Sequence, residues 1–566
     1  MSVKVAQEKT LKEKTSQEKT SKDNRDAAQS QTVQNLHAAQ GEKACESTQV
    51  QVESSMITAR LAQQRLVKSS IKERLAGIKA IRNSLFSQRE KIIDKIVHET
   101  GKCRTDAQLA EIMGVIDYAD WLCDHAEKIL ADTKVATPIS LMGKKSFVSH
   151  CPLGVVAVIS PWNYPFHISF TTVLAALAAG NAVLLKPSEI TPLTGVIEDL
   201  VSAAPVFHEC VQVLYGSGET AQRMIASKPN KVMFTGSAKT GKKILAQAAP
   251  LLIPVELELG GKDAMLVFDD VNIHRTVAGC LWGGLTNAGQ SCTSVESVYI
   301  HSSIYADFVA KLKSELATLI QNNGDAGDAD MGAITASFQH QIIAEQVREA
   351  TALGAKVFVP HEHDVAQKQS GLSQSELGQS GLDQSAANQQ AQAFYPLTLI
   401  EGATDHMSVM HSETFGPVMT LHAFEDEREV IERCNASEFG LSASVWSKDL
   451  TRAKRVAAQL EVGAVSINNV MLTEGNPNLP FGGTKQSGFG RVKGAEGLLG
   501  MTYSKAFIVD KQSKNIEANW YPYTRQKYQL FDKLMEAMYS SGLKRWLDFA
   551  KVGLKLESFS QKKRGE

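Results

Sequence analysis

Cys292 sits in TNAGQSCTSVES (286–297), a small, polar stretch with Gly289 three residues before it. A cysteine there is either a nucleophile that reacts as its thiolate or a small buried hydrophobe, the more usual fate of a free thiol. Glu256 and Glu258 in VELELGG (255–261) are two apart, which on a strand puts both on one face. On an open edge they are solvated. Buried among these apolar neighbours, a carboxylate has a raised pKa and serves as a base near neutral pH. Asn163 is held between prolines in PWNYP (161–165). Its amide either serves the turn itself or is aimed at a developing oxyanion. Trp162 beside it is core, or the wall of a substrate channel.

Other positions point toward a nucleotide. FTGSAKTGKK (234–243) is one residue short of a P-loop, because Lys243 stands where Ser or Thr would hold magnesium. A strand-to-helix glycine turn still offers N–H groups to a phosphate. Thr235, Gly236, Ser237 and Gly241 are therefore candidates for a pyrophosphate site, with a P-loop nucleotidase and an empty turn as the alternatives. Lys186, in KPSE (186–189), is a solvated charge or a donor to ribose hydroxyls. Glu189 can accept from a ribose 2′-OH, which disfavours a 2′-phosphate. Glu413, in HSETFGPV, is unremarkable alone.

The elements that must position these groups have a regular pattern. GVVAVIS (154–160), NAVLLKPSE, VQVLYG, KVMFTG and IPVELELGG are short apolar runs, and helical stretches fall between them. HISFTTVLAALAAG (167–180) reads as a helix closed by Gly180; the next stretch opens on Thr191 and Pro192, a cap and first-turn pair. Five runs alternating with four helices predict a doubly wound parallel sheet, covered on both faces because the runs lack polar alternation. Ligands of such sheets bind at the carboxyl ends of the strands. Those ends carry PWNYP, Lys186–Glu189, Gly216, Thr235–Ser237 and Glu258.

Bulk properties are those of an ordinary globular protein: 566 residues, 43% hydrophobic, 21% charged, formal net charge −1. Nothing global points to nucleic acid. No apolar run is long enough for a spanning helix, and the N-terminus lacks a signal-peptide core. The eight cysteines are scattered without metal-ligand spacing, which fits free thiols in a reducing cytoplasm and no metal site. Residues 1–55 repeat EKT and read as a disordered extension, and the Gln/Ser-rich stretch 366–392 reads as a surface insertion. In the tail, 511–566, twelve Lys/Arg stand against six Asp/Glu. Leu530, Phe531, Leu534, Met535, Met538 and Tyr539 recur there at helical spacing, followed by Leu543, Trp546, Leu547 and Ala550.

PWNYP, KPSE, FTGS, LELGGK, GQSC, ETFGPV and PFGGTKQSG, in this order, resemble the aldehyde dehydrogenase superfamily over roughly residues 56–510. The resemblance implies a Rossmann-like NAD-binding domain (56–257), a second α/β catalytic domain (258–465), and a return segment (466–510). It also implies a β-hairpin oligomerisation arm shared between that segment and residues near 134–150. It implies Cys292 as nucleophile, Asn163 with the Cys292 N–H as oxyanion hole, and Glu258 as the base that activates the hydrolytic water. Lys186 and Glu189 would contact the adenosine ribose, Gly236 and Ser237 the pyrophosphate region, Glu413 the nicotinamide ribose, and Phe415 the nicotinamide. Pro161, Trp162, Ser188, Gly216, Thr235, Gly241 and Leu259 complete the implied cofactor set. The expected cofactor is NAD rather than NADP, the expected product a carboxylic acid, and the expected assembly a homodimer or homotetramer.

Two features depart from the pattern. Ser297 stands where the family usually has Arg, which leaves a local ion pair in doubt. NWYPYTRQKYQLFDKLMEAMY (519–539) resembles tails of a bacterial subgroup that includes enzymes acting on apolar, carotenoid-type dialdehydes. Such a tail packs on the core, docks a partner, or lies on the membrane surface through 519–556 at the inner face; the last suits an apolar, long-chain aldehyde. The rival reading is a cofactor-independent cysteine hydrolase or acyltransferase. It requires a His beside Cys292, and neither His274 nor His301 carries a triad signature.

Overall fold

The computed structural model describes residues 46–322, 327–360, 394–510, 516–542 and 544–561. The segment 366–392, most of the 1–55 extension and Leu543 lie outside them. One compact unit comprises residues 46–130 and 152–503, and it holds two large sheets and a two-stranded pair, Phe439–Gly440 with Thr484–Lys485.

The first sheet is built from the five apolar runs. Val211–Val213, Ala182–Lys186, Val155–Ile159, Lys231–Thr235 and Val255–Glu258 lie side by side in that order, all parallel. Gly488–Phe489 adds a short antiparallel strand beside Glu258. The continuous apolar runs have the expected cause: Val155–Ile159 and Ala182–Lys186 are buried along their whole length. Helix His167–Ala178 ends as anticipated, with Gly180 in the left-handed region (φ +91°).

Two expectations about boundaries require correction. The extension is not disordered to residue 55, because a helix begins at Gln49 with Thr48 and Gln51 forming a capping box. Glu46 accepts from the N–H groups of Ser217 and Thr220, and Val52 and Met56 are buried in the core of the first sheet. Polar composition hid this anchor. Thr191 and Pro192 do not start a helix either: Leu193 (φ +45°) and Gly195 (φ +83°) delay it to Val196–Ser202. Thr191 instead donates its hydroxyl to the Trp162 carbonyl.

The second sheet has the order Lys356–Phe358, Thr398–Glu401, Val418–Phe424, Val295–His301, Asp263–Val267, Ser442–Trp446, Ala464–Ile467. All pairs are parallel except the first. Both faces are covered. Met265 and Val267 enter one apolar cluster while Ala264 and Leu266 enter another, the alternation a strand imposes.

The second unit comprises residues 131–151 and 504–566. Its sheet is three-stranded, Thr133–Val135, Lys145–Pro152 and Thr502–Val509, so only the end of the 466–510 segment enters it. The tail forms two helices, Arg525–Tyr539 and Lys544–Ser560, which pack on each other.

Candidate active site

The carboxyl ends of the first sheet open into a cavity of about 990 Å³ whose lining includes Cys292, Asn163 and Glu258. Cys292 follows the turn Thr286–Gly289, which links helix Ile273–Leu285 to strand Val295–His301. That turn is strained. Asn287 and Ala288 have φ of +53° and +56°, each of a kind that costs about 1–3 kcal/mol for a non-glycine residue. Gly289 has φ +70°, and a Cβ there would sit 2.1 Å from the Gly416 carbonyl oxygen, so only glycine fits. Asp106 holds the turn by accepting from the Thr286 hydroxyl (3.0 Å) and the Asn287 N–H (2.8 Å). Burial pushes the Cys292 thiol well above its ordinary value, and the charges of Glu258 and Glu413 push it further.

Asn163 is buried, and its Nδ2 donates to the Gln290 carbonyl at 3.0 Å. A primary amide has a second N–H, which is the one a ligand in the cavity can meet. Glu258 is also buried, and its Oε1 has no hydrogen-bond partner. Desolvation raises its pKa well above the usual carboxylate range; neighbouring Glu256 adds to this, and Arg491 opposes it. The two glutamates of VELELGG thus divide in role. Glu256 is tied to Lys231 at 2.5 Å, whereas Glu258 is left to the cavity.

The other end of the cavity is polar. Lys186 donates to Glu189 (3.0 Å) and to the Pro187 carbonyl (3.0 Å). Ser237 caps helix Ala238–Ala248 by accepting from the Thr240 N–H, and Thr235, Gly236 and Lys243 line the wall beside it. A helix N-terminus there suits a pyrophosphate. Glu413 lies between the two ends and accepts from the Gly261 N–H at 3.2 Å. Burial, then the charge of Glu296, raises its pKa to about 8. Phe415 (φ +51°) meets the Trp162 ring edge-on at 5.4 Å, and Trp162 meets Phe338 at 6.2 Å. Among the described residues, no histidine lines the cavity.

Residues 24–375 and 372–507 match the profile of the aldehyde dehydrogenase family. The chain belongs to that family. It is 37% identical over 491 residues to the 4,4'-diapolycopene aldehyde oxidase of Methylomonas sp, covering 85% of this chain and 87% of that one. Solved structures of the same fold include the succinic semialdehyde dehydrogenase of Streptococcus pyogenes in complex with NADP+ (TM-score 0.73, 26% identity, 82% of this chain and 96% of that one). Another is the NAD+ complex of an aldehyde dehydrogenase from Bacillus cereus (TM-score 0.72, 27% identity, 83% and 90%). This protein is accordingly an NAD(P)-dependent oxidoreductase acting on an aldehyde.

Within the dehydrogenase, Pro161, Trp162, Lys186, Ser188, Glu189, Thr235, Gly236, Ser237, Leu259, Glu413 and Phe415 all line the cavity, and Gly216 and Gly241 do not. A Cβ at Gly216 would lie 2.4 Å from Thr220 Oγ1 and 2.9 Å from the Glu46 carboxyl carbon, so this glycine makes room for the N-terminal anchor. A Cβ at Gly241 would meet Leu259 at 2.8 Å, so this one lets the helix approach the sheet. Ser297 leaves no orphan behind it. It is buried and accepts from the Thr420 hydroxyl at 3.3 Å.

The ion pair of that stretch belongs to Glu296, which the sequence did not single out for this purpose. Glu296 pairs with Lys262 and accepts from the N–H groups of Thr414 (2.9 Å) and Phe415 (3.0 Å), fixing the loop that carries Glu413. The only early sign of it is the Lys that ends LELGGK. Gln339, which does line the cavity, was not anticipated either; it donates to the Thr414 carbonyl at 2.8 Å.

Proposed function

We propose that this aldehyde dehydrogenase hydrolyses its acyl-enzyme to a carboxylic acid, with Cys292, Asn163 and Glu258 as the acting groups. The observation that carries the reading is the buried Glu258 oxygen without a partner, in the same cavity as the thiol and the amide. The Cys292 sulfur adds to the aldehyde carbon, giving a thiohemiacetal whose oxyanion meets the Asn163 amide and the Cys292 N–H. A nicotinamide cofactor, held by the residues at the polar end of the cavity, would supply the hydride acceptor that turns the thiohemiacetal into a thioester. The remaining thioester is cleaved by water, whose proton passes to Glu258 as the C–O bond forms. The sulfur leaves as thiolate and takes up a proton.

The residues fit the cofactor. Lys186 and Glu189 meet the adenosine ribose, Ser237 and its helix end the pyrophosphate, and Glu413 the nicotinamide ribose. NAD is the preferred form, because Lys186 is engaged by Glu189 rather than offered to a 2′-phosphate, and that carboxylate would repel one. The substrate is an apolar, long-chain aldehyde, in keeping with the printed name of the Methylomonas relative.

The second unit supports association. Val135, Phe507, Ile508 and Val509 are exposed on its sheet, which suits a homodimer or homotetramer joined through the arm. Its helices and the stretch before them expose Trp520, Tyr521, Tyr528, Tyr539, Trp546 and Leu547, with basic residues among them. Aromatic and cationic side chains together suit the surface of a membrane, on the cytoplasmic side. No helix among the described residues is long and apolar enough to cross one.

One experiment tests the reading: NADH or NADPH formation from aldehydes of increasing chain length, with NAD and with NADP, with and without anionic vesicles. The expected result is a kcat/KM that rises with chain length, favours NAD, and increases on vesicles. A preference for NADP would remove the role given to Glu189, and equal rates for short and long aldehydes would remove the substrate class.

A further inference from the structure

Three charged side chains of the segment 102–111 do not line the cavity, yet they reach both loops that carry the chemistry. Lys102 has no side-chain exposure. It donates to the main-chain carbonyl of Asn163 at 2.8 Å, pairs with Glu111 at 2.5 Å, and sits 4.3 Å from the Tyr164 ring centroid. Glu111, also without side-chain exposure, accepts from the N–H groups of Phe166 (3.0 Å) and His167 (2.9 Å) through its other oxygen. Asp106, between the two, holds Thr286 and Asn287.

Asn287 closes the ring. Its amide donates to the Asn163 carbonyl (3.0 Å) and to the Gln290 carbonyl (3.2 Å), the same oxygen that receives the Asn163 amide. The oxyanion loop and the nucleophile loop are thus tied to one segment and to each other. That segment runs into a π-helical turn, Ala107–Met113, a distortion frequent at functional sites. A buried lysine–glutamate pair is seldom the cheapest way to fill space, since apolar residues of similar volume are often as stable or more so. Here each charged end is spent on the backbone around Asn163.

We propose that Lys102 is a positioning residue for the oxyanion amide: through the Asn163 carbonyl, with Glu111 and Asp106 as anchors, it sets the placement of Asn163 relative to Cys292. The proposal rests on Asn163 being the oxyanion donor. Lys102 touches neither substrate nor cofactor, so its removal acts on geometry, and a displacement of about 1 Å at such a site costs roughly a hundredfold in rate.

The test uses the full-length enzyme and the variants Lys102→Met and Asp106→Asn. Three quantities are measured: the first-turnover NADH burst rate constant, the dissociation constant of NAD, and the rate of Cys292 alkylation by iodoacetamide, which needs no oxyanion donor. Active sites are counted by alkylation, so that a merely unstable variant loses amplitude and not rate constant. The expected result is a burst rate constant reduced roughly tenfold or more in Lys102→Met and less in Asp106→Asn, with NAD affinity and alkylation within about twofold of the unaltered enzyme. If Lys102→Met does not fold, Asp106→Asn carries the test. A burst rate constant per active site unchanged in the folded variants, or an equal fall in burst and alkylation, would overturn the proposal. No NADH in the first turnover of the unaltered enzyme would instead overturn the reading of Cys292 and Asn163 beneath it.

Discussion

Substituting Glu296 by Gln removes the charge that holds the Glu413–Phe415 loop. Both members of the pair are buried, with side chains 2% exposed for Glu296 and 3% for Lys262. Besides Lys262, Glu296 serves the N–H groups of Thr414 and Phe415. The substituted amide keeps one acceptor oxygen and presents donors where an acceptor is required. Lys262 retains only the Thr414 hydroxyl, at 3.2 Å. Breaking a buried pair from one side costs about 3–5 kcal/mol, much of it the stranded charge. Lys262→Met added to Glu296→Gln removes that charge, so the double variant recovers part of the loss, a coupling of about 1–3 kcal/mol. Urea midpoints without cofactor measure the cycle, and KM for NAD reports the loop. Glu296→Gln raises KM about tenfold, equivalent to about 1.4 kcal/mol. If the double variant is destabilised by the sum of the single effects, the pair is not coupled and the reasoning fails.

Two further outcomes follow from the same site. Asn163→Ala slows the NADH burst roughly 10²–10³-fold, the usual cost of one oxyanion donor, with NAD affinity unchanged; a loss seen only in KM would contradict it. Glu413 takes up a proton more readily when folded (about 8, against an ordinary 4.5), so the folded protein binds the extra proton between those values. The stability of the cofactor-free enzyme therefore falls as pH rises from about 4.5 to about 8 through this group, and thermal midpoints of Glu413→Gln show a shallower decline.

Much of the first sheet was legible because parallel strands covered on both faces must be continuously apolar. The candidate catalytic groups were legible through their order along the chain. What remained hidden is what binds those groups to distant neighbours. Lys102 and Asp106 look like solvated charges in GKCRTD until the fold brings them to residues 61 and 181 positions away. Glu296 differs from other strand glutamates only in what lies across from it in the next strand and loop. Gly216 and Gly241 misled for the opposite reason, since a glycine near a nucleotide turn is as readily needed by a packed neighbour as by a ligand. Thr191-Pro192 has the chemistry of a helix cap, and tertiary contact with Trp162 claimed it first.

Glu258 as the base that releases the acyl group is tested most directly by rapid mixing of Glu258→Gln with NAD and aldehyde, following NADH at 340 nm. The predicted trace is a burst approaching one NADH per Cys292 thiol, followed by a steady rate roughly 10²–10⁴-fold below that of the unaltered enzyme. A steady rate equal to that of the unaltered enzyme, or a trace without a burst, would contradict that assignment.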